Sequence, residues 1–565
     1  MIGLETQTSF LIEIGIIIII ATLLALALKI LKQPLIPSYI ITGIILGPLV
    51  LGLIKDIETI RAISELGIAF LLFLVGMEIN LKKLKSAGLT SSIGATIQVA
   101  LVYLITYTIS LKLGFSNFES MIIGFALSFS STMIVIQLLS ETEEIDTLHG
   151  RISLGWLLIQ DVLVIIIISL LSNLESFSVI TISYSLLKGL ILIWIAFLSS
   201  KFFLPKLFRF AAKSSELLFL TSITVLFLFA IMATLLDISL AIGAFLAGLT
   251  LANLPYKIDI IGNVKPLKNF FTTIFFVFLG MQLIIIDSTL IWLTLILLAI
   301  TLIIKPIIIT LITALFGFGK RTSFLVGSSL AQMSEFSLII ISLPFISLNL
   351  SPSIFSMIIF ITIITMTLTS YTIKFEERIY LVISRYLSFL DKISLKKQKL
   401  EYIERGPRKT ILLIGCHRMG SIFYKKLRSK KNVLILDQNP ETINSLIKQK
   451  ISCMYGDMTN KEILDKANLK SIKLVISTVP SEDNNKFLID YVKSINPRTK
   501  VFVTANHLHQ AYRLYNHGAD YVILPHILSG ERISNILVSL QSKKTNVKKL
   551  KEDHLKRLTN LDISS

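Results

Sequence analysis

Residues 151–170 read RISLGWLLIQDVLVIIIISL, an apolar run with the pair Gln160-Asp161 at its centre. A helix needs roughly 20 predominantly apolar residues to cross a bilayer, so this run predicts a membrane span over about 152–171. A carboxylate halfway along such a span is costly unless it is protonated, paired, or open to a water-filled cavity. Burial disfavours its charged form, so a proton and a monovalent cation can compete for it, which is the logic of a single-site exchanger.

The apolar character extends outward on both sides. Of 565 residues, 53% are apolar and only 16% charged, and the mean hydropathy is +0.76. Runs of spanning length fill the first two thirds and stop near Thr372, after which the composition is that of a soluble protein. The first run, about 10–30, is too long for a signal-peptide core and has no small-residue cleavage pattern behind it. Charges, prolines and glycines divide the region into about thirteen segments, centred near Ile19, Ile44, Leu72, Val99, Phe129, Val164, Ile191, Phe227, Phe245, Phe276, Leu297, Leu330 and Ile361.

Basic residues test these boundaries. Alternate loops hold Lys82, Lys83 and Lys85, then Arg151, then Lys201, Lys206, Arg209 and Lys213, then Lys257, Lys265 and Lys268, then Lys320 and Arg321. The other loops have little beyond Lys55, Arg61 and Lys112. Basic loops lie inside, so the N-terminus is expected outside and the C-terminal part in the cytoplasm. The net charge of +19 follows from this distribution and does not call for nucleic acid as a partner.

The membrane half echoes itself at an offset of about two hundred residues. Residues 73–78 (FLVGME) answer 277–282 (VFLGMQ), Gly43 and Gly47 answer Gly243, Ala247 and Gly248, and the polar run 128–132 answers 328–334. An odd number of crossings separates the copies, which is the inverted-repeat plan of secondary transporters with interrupted helices.

Four charged residues fall at membrane depth: Glu13, Asp161, Lys305 and Glu335. One span before Asp161 stand Ser128, Ser130, Ser131 and Thr132, whose hydroxyls compete for backbone hydrogen bonds and favour local unwinding that frees carbonyls for a cation. Lys305-Pro306 sits mid-span, where the ammonium offsets a carboxylate or the open carbonyl ends of broken helices. Gln332, Ser334 and Glu335 occupy the second-repeat equivalent of the serine run. Glu13 is expected to reach the outer interface. The expected ion and proton site is therefore Asp161 as the monovalent-cation ligand, with Gln160, Ser130, Ser131, Thr132, Lys305 and Glu335.

Residues 374–407 read as a charged cytoplasmic linker containing Glu376, Glu377 and Arg378. Beyond it, residues 410–415, 433–437, 474–477, 501–504 and 521–524 read as strands separated by helix-length stretches, a Rossmann-like parallel α/β sheet. The first strand runs into Gly415-Cys416-His417-Arg418-Met419-Gly420, and Asp437 closes the second, the layout of a nucleotide-binding turn with an acid for the ribose. Gly415, His417, Arg418, Met419, Gly420 and Asp437 are the expected nucleotide contacts. His417 stands at the middle glycine position, leaving NAD(H) and an adenine mononucleotide both open as the regulatory ligand. Cys416 and Cys453 lack metal or redox spacing and read as reduced thiols. A Lys-rich tail, 542–565, closes a domain order of 1–373, 374–407, 408–541 and 542–565.

From about residue 14 to 368 the chain resembles the monovalent cation:proton antiporter-2 family, in particular its Kef-type members. The resemblance is carried by Gln33-Pro34, residues 43–48 and 73–78, Ser130-Ser131-Thr132, His149-Gly150-Arg151, Gln160-Asp161, residues 243–248 and 275–281, and Ser334-Glu335-Phe336. It implies crossed interrupted helices, a homodimer, an ion site at Asp161 and potassium/proton exchange, one for one. About 408–540 resembles the regulator-of-potassium-conductance or TrkA N-terminal domain, through Tyr455-Gly456-Asp457 and Gly518-Ala519-Asp520 as well as the glycine turn. That implies a dimerising sensor for NAD(H) or adenine nucleotides in a bacterial inner-membrane protein, with Asp457 near the adenine. Alternatives are a sodium/proton antiporter on this scaffold, a potassium channel, for which no T-V-G-Y-G-like filter occurs, and a membrane oxidoreductase, for which no catalytic acid/base set stands by the turn.

Overall fold

A computed structural model describes residues 2–555 apart from 32, 55–56, 79–87, 143, 146, 173–178, 237, 286–287, 385, 391–400, 404–407, 417, 428–431, 457, 460, 542–546, 548–549 and 553. The chain divides into two compact units, Met1–Lys396 and Lys397–Ser565.

The first unit is all helix. It opens with α1 (Ile2–Ile30), α2 (Leu35–Leu46), α3 (Ile57–Glu78) and α4 (Gly88–Lys112). An interrupted pair follows, α5 (Asn117–Ser128) and α6 (Thr132–Glu141), then α7 (Leu148–Leu171), α8 (Val179–Leu198), α9 (Leu204–Ala211), α10 (Ser215–Leu235), α11 (Leu240–Leu251) and α12 (Lys257–Met281). The unit ends with α13 (Ser288–Ala299), α14 (Lys305–Leu315), a second interrupted pair α15 (Lys320–Ser329) and α16 (Glu335–Ser342), the short α17 (Pro344–Asn349), and α18 (Pro352–Ile383). Among the described residues ten helices are long and apolar enough to cross a membrane, and α2 and α11 are shorter apolar helices. Each of the thirteen expected centres falls on one of these elements or in one of the two breaks.

Local chemistry explains the breaks. At the first, Ser128 Oγ turns back to the Gly124 carbonyl at 2.7 Å, and Ser131 Oγ caps α6 by accepting from the Ile134 N–H at 3.3 Å. At the second, Ser334 Oγ caps α16 by accepting from the Phe336 N–H at 3.2 Å. Short hydroxyl side chains thus satisfy donors and acceptors that a continuous helix would have used.

The repeats lock together at glycines. A Cβ on Gly43 would lie 2.0 Å from the Val277 carbonyl oxygen and one on Gly280 2.1 Å from that of Ile40. In the mirrored crossing, a Cβ on Gly248 would lie 1.9 Å from the Phe73 oxygen and one on Gly76 2.3 Å from that of Phe245. Backbone against backbone at this range admits no side chain, so α2 crosses α12 and α3 crosses α11 as small-residue contacts suited to lipid surroundings.

The expected positions of several charged residues need correction. Most basic residues expected in loops lie within helices: Arg61 in α3, Lys112 at the end of α4, Arg151 in α7, Lys201 in a π-helical turn before α9, Lys206 and Arg209 in α9, Lys257, Lys265 and Lys268 in α12, and Lys320 and Arg321 at the start of α15; Lys268 is also buried. Helix α12 begins earlier than hydropathy suggested because a long basic side chain can lay its apolar stem along the helix surface without ending the helix. Glu13 is buried within α1. Glu376, expected in the linker, is also buried, because α18 carries on past the apolar stretch. Lys82, Lys83 and Lys85 lie outside the described residues.

The second unit carries a seven-stranded sheet: β1 (Glu401–Tyr402), β2 (Ile411–Ile414), β3 (Val433–Asp437), β4 (Cys453–Tyr455), β5 (Leu474–Ser477), β6 (Lys500–Thr504) and β7 (Tyr521–Ile523). The order is β1-β4-β3-β2-β5-β6-β7; β1 is antiparallel and the rest parallel. Without β1 this is the doubly wound order, whose switch point lies between β2 and β5. β4 and β1 lie outside the five strands read from sequence; at three and two residues they are too short to show periodicity.

Candidate functional site

The two breaks of the membrane unit meet, and the expected ion-site residues gather there. Thr132, the first residue of α6, donates from Oγ1 to Asp161, 3.0 Å from each carboxylate oxygen. Among the described residues this hydroxyl is the one hydrogen-bond donor to Asp161. A carboxylate offers about four lone-pair sites and Thr132 supplies a single hydrogen, so Asp161 keeps acceptor capacity for a cation or a proton. The charges of Glu335 and Glu78 act on it.

Lys305 is fully buried. Its ammonium donates to the Phe129 carbonyl at 2.7 Å and the Gln332 carbonyl at 2.9 Å, so it rests on the open carbonyls of both breaks and not on a carboxylate. A π-helical turn, Ile300–Ile304, precedes it and accommodates Pro306, whose ring cannot sit in a regular helix interior. The helix termini are arranged consistently: the negative ends of α5 and α15 face the ammonium, while the positive ends of α6 and α16 carry Thr132 beside Asp161 and Glu335.

The breaks also bond to each other. Ser130 Oγ donates to the Leu330 carbonyl at 2.8 Å, Gln332 Nε2 to the Ser131 carbonyl at 3.3 Å, and Ser337 Oγ to the Ala126 carbonyl at 2.5 Å. Glu335 is buried, and its Oε2 and the Oε1 of Gln332 make no hydrogen bond among the described residues. The Gln160 carboxamide accepts from the Ser130 N–H at 2.9 Å and donates to Gln98 at 2.6 Å.

Sequence reasoning missed Gln98, Lys268 and Glu78. Gln98 carries no charge and lies in no motif that marks it. Lys268 was assigned to a loop, yet its Nζ lies 3.8 Å from Met133 Sδ and its charge acts on Glu335 and Glu78. Glu78 was visible only as the end of a repeated motif. On another face, Glu144, His149 and Glu376 bring one side-chain ligand atom each within 4.8 Å of one another, tying the start of α7 to α18.

In the second unit Gly415 adopts φ +81°, open to glycine and strained for other residues, and a Cβ on Gly420 would lie 1.9 Å from the Gly415 oxygen. These contacts make the tight turn between β2 and the helix Arg418–Leu427, at whose start Met419 packs on the sheet. Asp437 accepts from the Cys416 N–H and the Asn439 N–H, both at 2.7 Å, so it holds the turn as well as ending β3. His417 and Asp457 lie outside the described residues. Cys416 and Cys453 are buried and free. Burial, with Asp437 nearby, pushes the Cys416 thiol up to about 12, and burial pushes Cys453 up to about 11.

Residues 15–375 match the family described as sodium/hydrogen exchanger, transmembrane, and residues 411–525 match the TrkA-N domain. The Escherichia coli (strain K12) protein YbaL is 28% identical over 88% of this chain and 92% of its own. Escherichia coli glutathione-regulated potassium-efflux system protein KefC is 25% identical over 86% of this chain and 77% of its own. Arabidopsis thaliana K(+) efflux antiporter 6 is 31% identical over 58% of this chain and 57% of its own length.

Proposed function

The chain belongs to the sodium/hydrogen exchanger family, and from that premise we propose that it is a monovalent cation/proton antiporter, not an enzyme, that moves potassium outward against protons under control of its TrkA-N domain. The observation that carries the reading is Asp161 at the meeting of two helix breaks, held by one Thr132 hydroxyl and otherwise open to an ion. Asp161 takes cation and proton alternately, Ser130, Ser131 and Thr132 shape the site, Glu335 adds a second acid, and Lys305 neutralises the carbonyl ends so that the breaks persist. Potassium is preferred to sodium as substrate on the names of KefC and the plant efflux antiporter.

The wider reading follows the same lines: a bacterial inner-membrane homodimer, with residues 1–373 as exchanger, 374–407 as linker, 408–541 as cytoplasmic sensor and 542–565 as basic tail. NAD(H) or an adenine mononucleotide fits the second unit at Gly415, Met419 and Gly420, with Asp437 beside the turn. The cradle is supported by Gly415's positive φ and by the lack of room for a side chain at Gly420. Bound there, the nucleotide would supply no transport chemistry, only a change in the sensor's preferred conformation. The test is dye-reported proton flux in vesicles across a cation series with and without NADH: potassium should drive the larger flux, and sodium exceeding potassium would overturn the selectivity.

A further inference from the structure

Where α7 begins, three side chains with metal-ligating atoms converge. Glu144 lies in the connection before the helix, His149 is its second residue, and Glu376 belongs to α18. His149 Nε2 lies 3.5 Å from Glu144 Oε2 and 3.9 Å from Glu376 Oε1, and the three ligand atoms all fall within 4.8 Å of one another. A zinc ion bound to nitrogen and oxygen at about 2.0–2.2 Å sets tetrahedral ligands roughly 3.4 Å apart, so shifts of about 1 Å would close the triangle on an ion.

Each ligand is aimed by a hydroxyl outside the triangle. Thr147 Oγ1 donates to the Glu144 carbonyl at 2.6 Å, so toward the imidazole it can only accept. The nearer ring nitrogen is Nδ1, at 3.0 Å against 3.4 Å for Nε2. Nδ1 therefore carries the hydrogen, and in the neutral ring the lone pair is on Nε2, facing the two carboxylates. Ser328 Oγ donates to Glu376 Oε2 at 2.9 Å, which turns Oε1 toward His149, and Thr142 Oγ1 lies 3.2 Å from Glu144 Oε2. Outer partners of this kind fix the tautomer and orientation of ligating histidines and carboxylates.

We propose that Glu144, His149 and Glu376 form a binding site for a divalent transition metal of the zinc class. One imidazole nitrogen with two carboxylate oxygens suits that class better than magnesium or calcium, which take oxygen ligands. The His149 and Glu376 side chains are 6% and 3% exposed and that of Glu144 28%, so the ion enters past Glu144. Arg321, whose charge acts on Glu144, is the cation it must compete with. Filled, the site joins α7 to α18 and, through Ser328, to the end of α15 at the second break. The ion takes no part in exchange, so the site stands apart from the reading of Asp161, twelve residues further along α7.

The test is cobalt titration of the full, untagged chain in detergent after chelator treatment. Co²⁺ should give the visible d–d bands of a low-coordinate nitrogen and oxygen site, and Zn²⁺ should bleach them while Mg²⁺ does not. His149→Gln and Glu376→Gln should weaken Zn²⁺ affinity by roughly tenfold or more, and Zn²⁺ should no longer raise their melting temperatures. Glu144→Gln, at the most exposed ligand, gives the same reading if a buried substitution unfolds the chain. Asp161→Asn should keep the bands, so failure of this site and failure of the exchanger reading are told apart. Bands absent from the parent, the result if a proton fills the position, overturn the proposal. So do bands of unchanged affinity in the folded ligand variants, which histidines of the second unit alone would give.

Discussion

Gly248→Ala probes the crossing of the repeats. The added methyl would lie 1.9 Å from the Phe73 carbonyl oxygen, against an ordinary contact beginning near 3.4 Å. The backbones of α3 and α11 must therefore part by about 1.5 Å, and neither has a flexible side chain there to yield. Overpacking of this kind costs about 1–3 kcal/mol, and here the obstacle is backbone, so the upper half of that range applies. Gly262→Ala, in α12 with nothing within 4 Å, is the matched control: it removes a helical glycine and should stabilise by roughly 0.5–1 kcal/mol. Thermal unfolding of the detergent-solubilised proteins should then place the two variants on opposite sides of the parent, with Gly248→Ala lower by roughly 2–10 °C. Equal melting temperatures would refute the close crossing.

Three further outcomes are expected. Thr132→Val keeps the shape and removes the single donor to Asp161; a hydrogen bond to a charged group contributes about 1.5–3 kcal/mol, so the cation KM should rise by roughly tenfold or more, and an unchanged KM in vesicle flux contradicts the geometry. Cys416 and Cys453, with thiols pushed up to about 12 and about 11, should resist maleimide at neutral pH in the native protein and label after denaturation. Asp520 is pushed up by partial burial but held below its ordinary value by Lys493 at 2.7 Å, the Val501 N–H and Lys500. A carboxyl lowered in the folded state stabilises above its unfolded value of about 3.9 and ceases to do so as pH falls through the folded one. Hydrogen exchange at β7 should therefore quicken below about pH 4 in the parent and depend less on pH in Asp520→Asn.

Much of this was legible because hydropathy and charge act over whole segments. Thirteen centres could be placed since a bilayer fixes segment length, and strands β3 and β5 could be bounded to the residue because buried parallel strands are short unbroken apolar runs. The serine run pointed to a break because hydroxyls offer the backbone an alternative partner. What sequence withheld was direction. Nothing in the string says that Lys305 would choose two carbonyls over a carboxylate, since both lie within reach of a flexible stem. Gln160 stands next to Asp161 in sequence but about 100° around the helix from it, which is why its carboxamide bonds to the Ser130 N–H and Gln98 while Asp161 takes the Thr132 hydroxyl. Lys268 and Glu376 were misplaced because a charge in sequence looks the same whether the side chain snorkels outward from a helix or folds in.

The central claim is tested most directly by dye-reported proton flux in vesicles on the parent chain and Asp161→Asn, with potassium or sodium added. The account predicts cation-dependent proton movement in the parent and none above background in the variant, with the variant folded and inserted normally. Equal flux in both would contradict it.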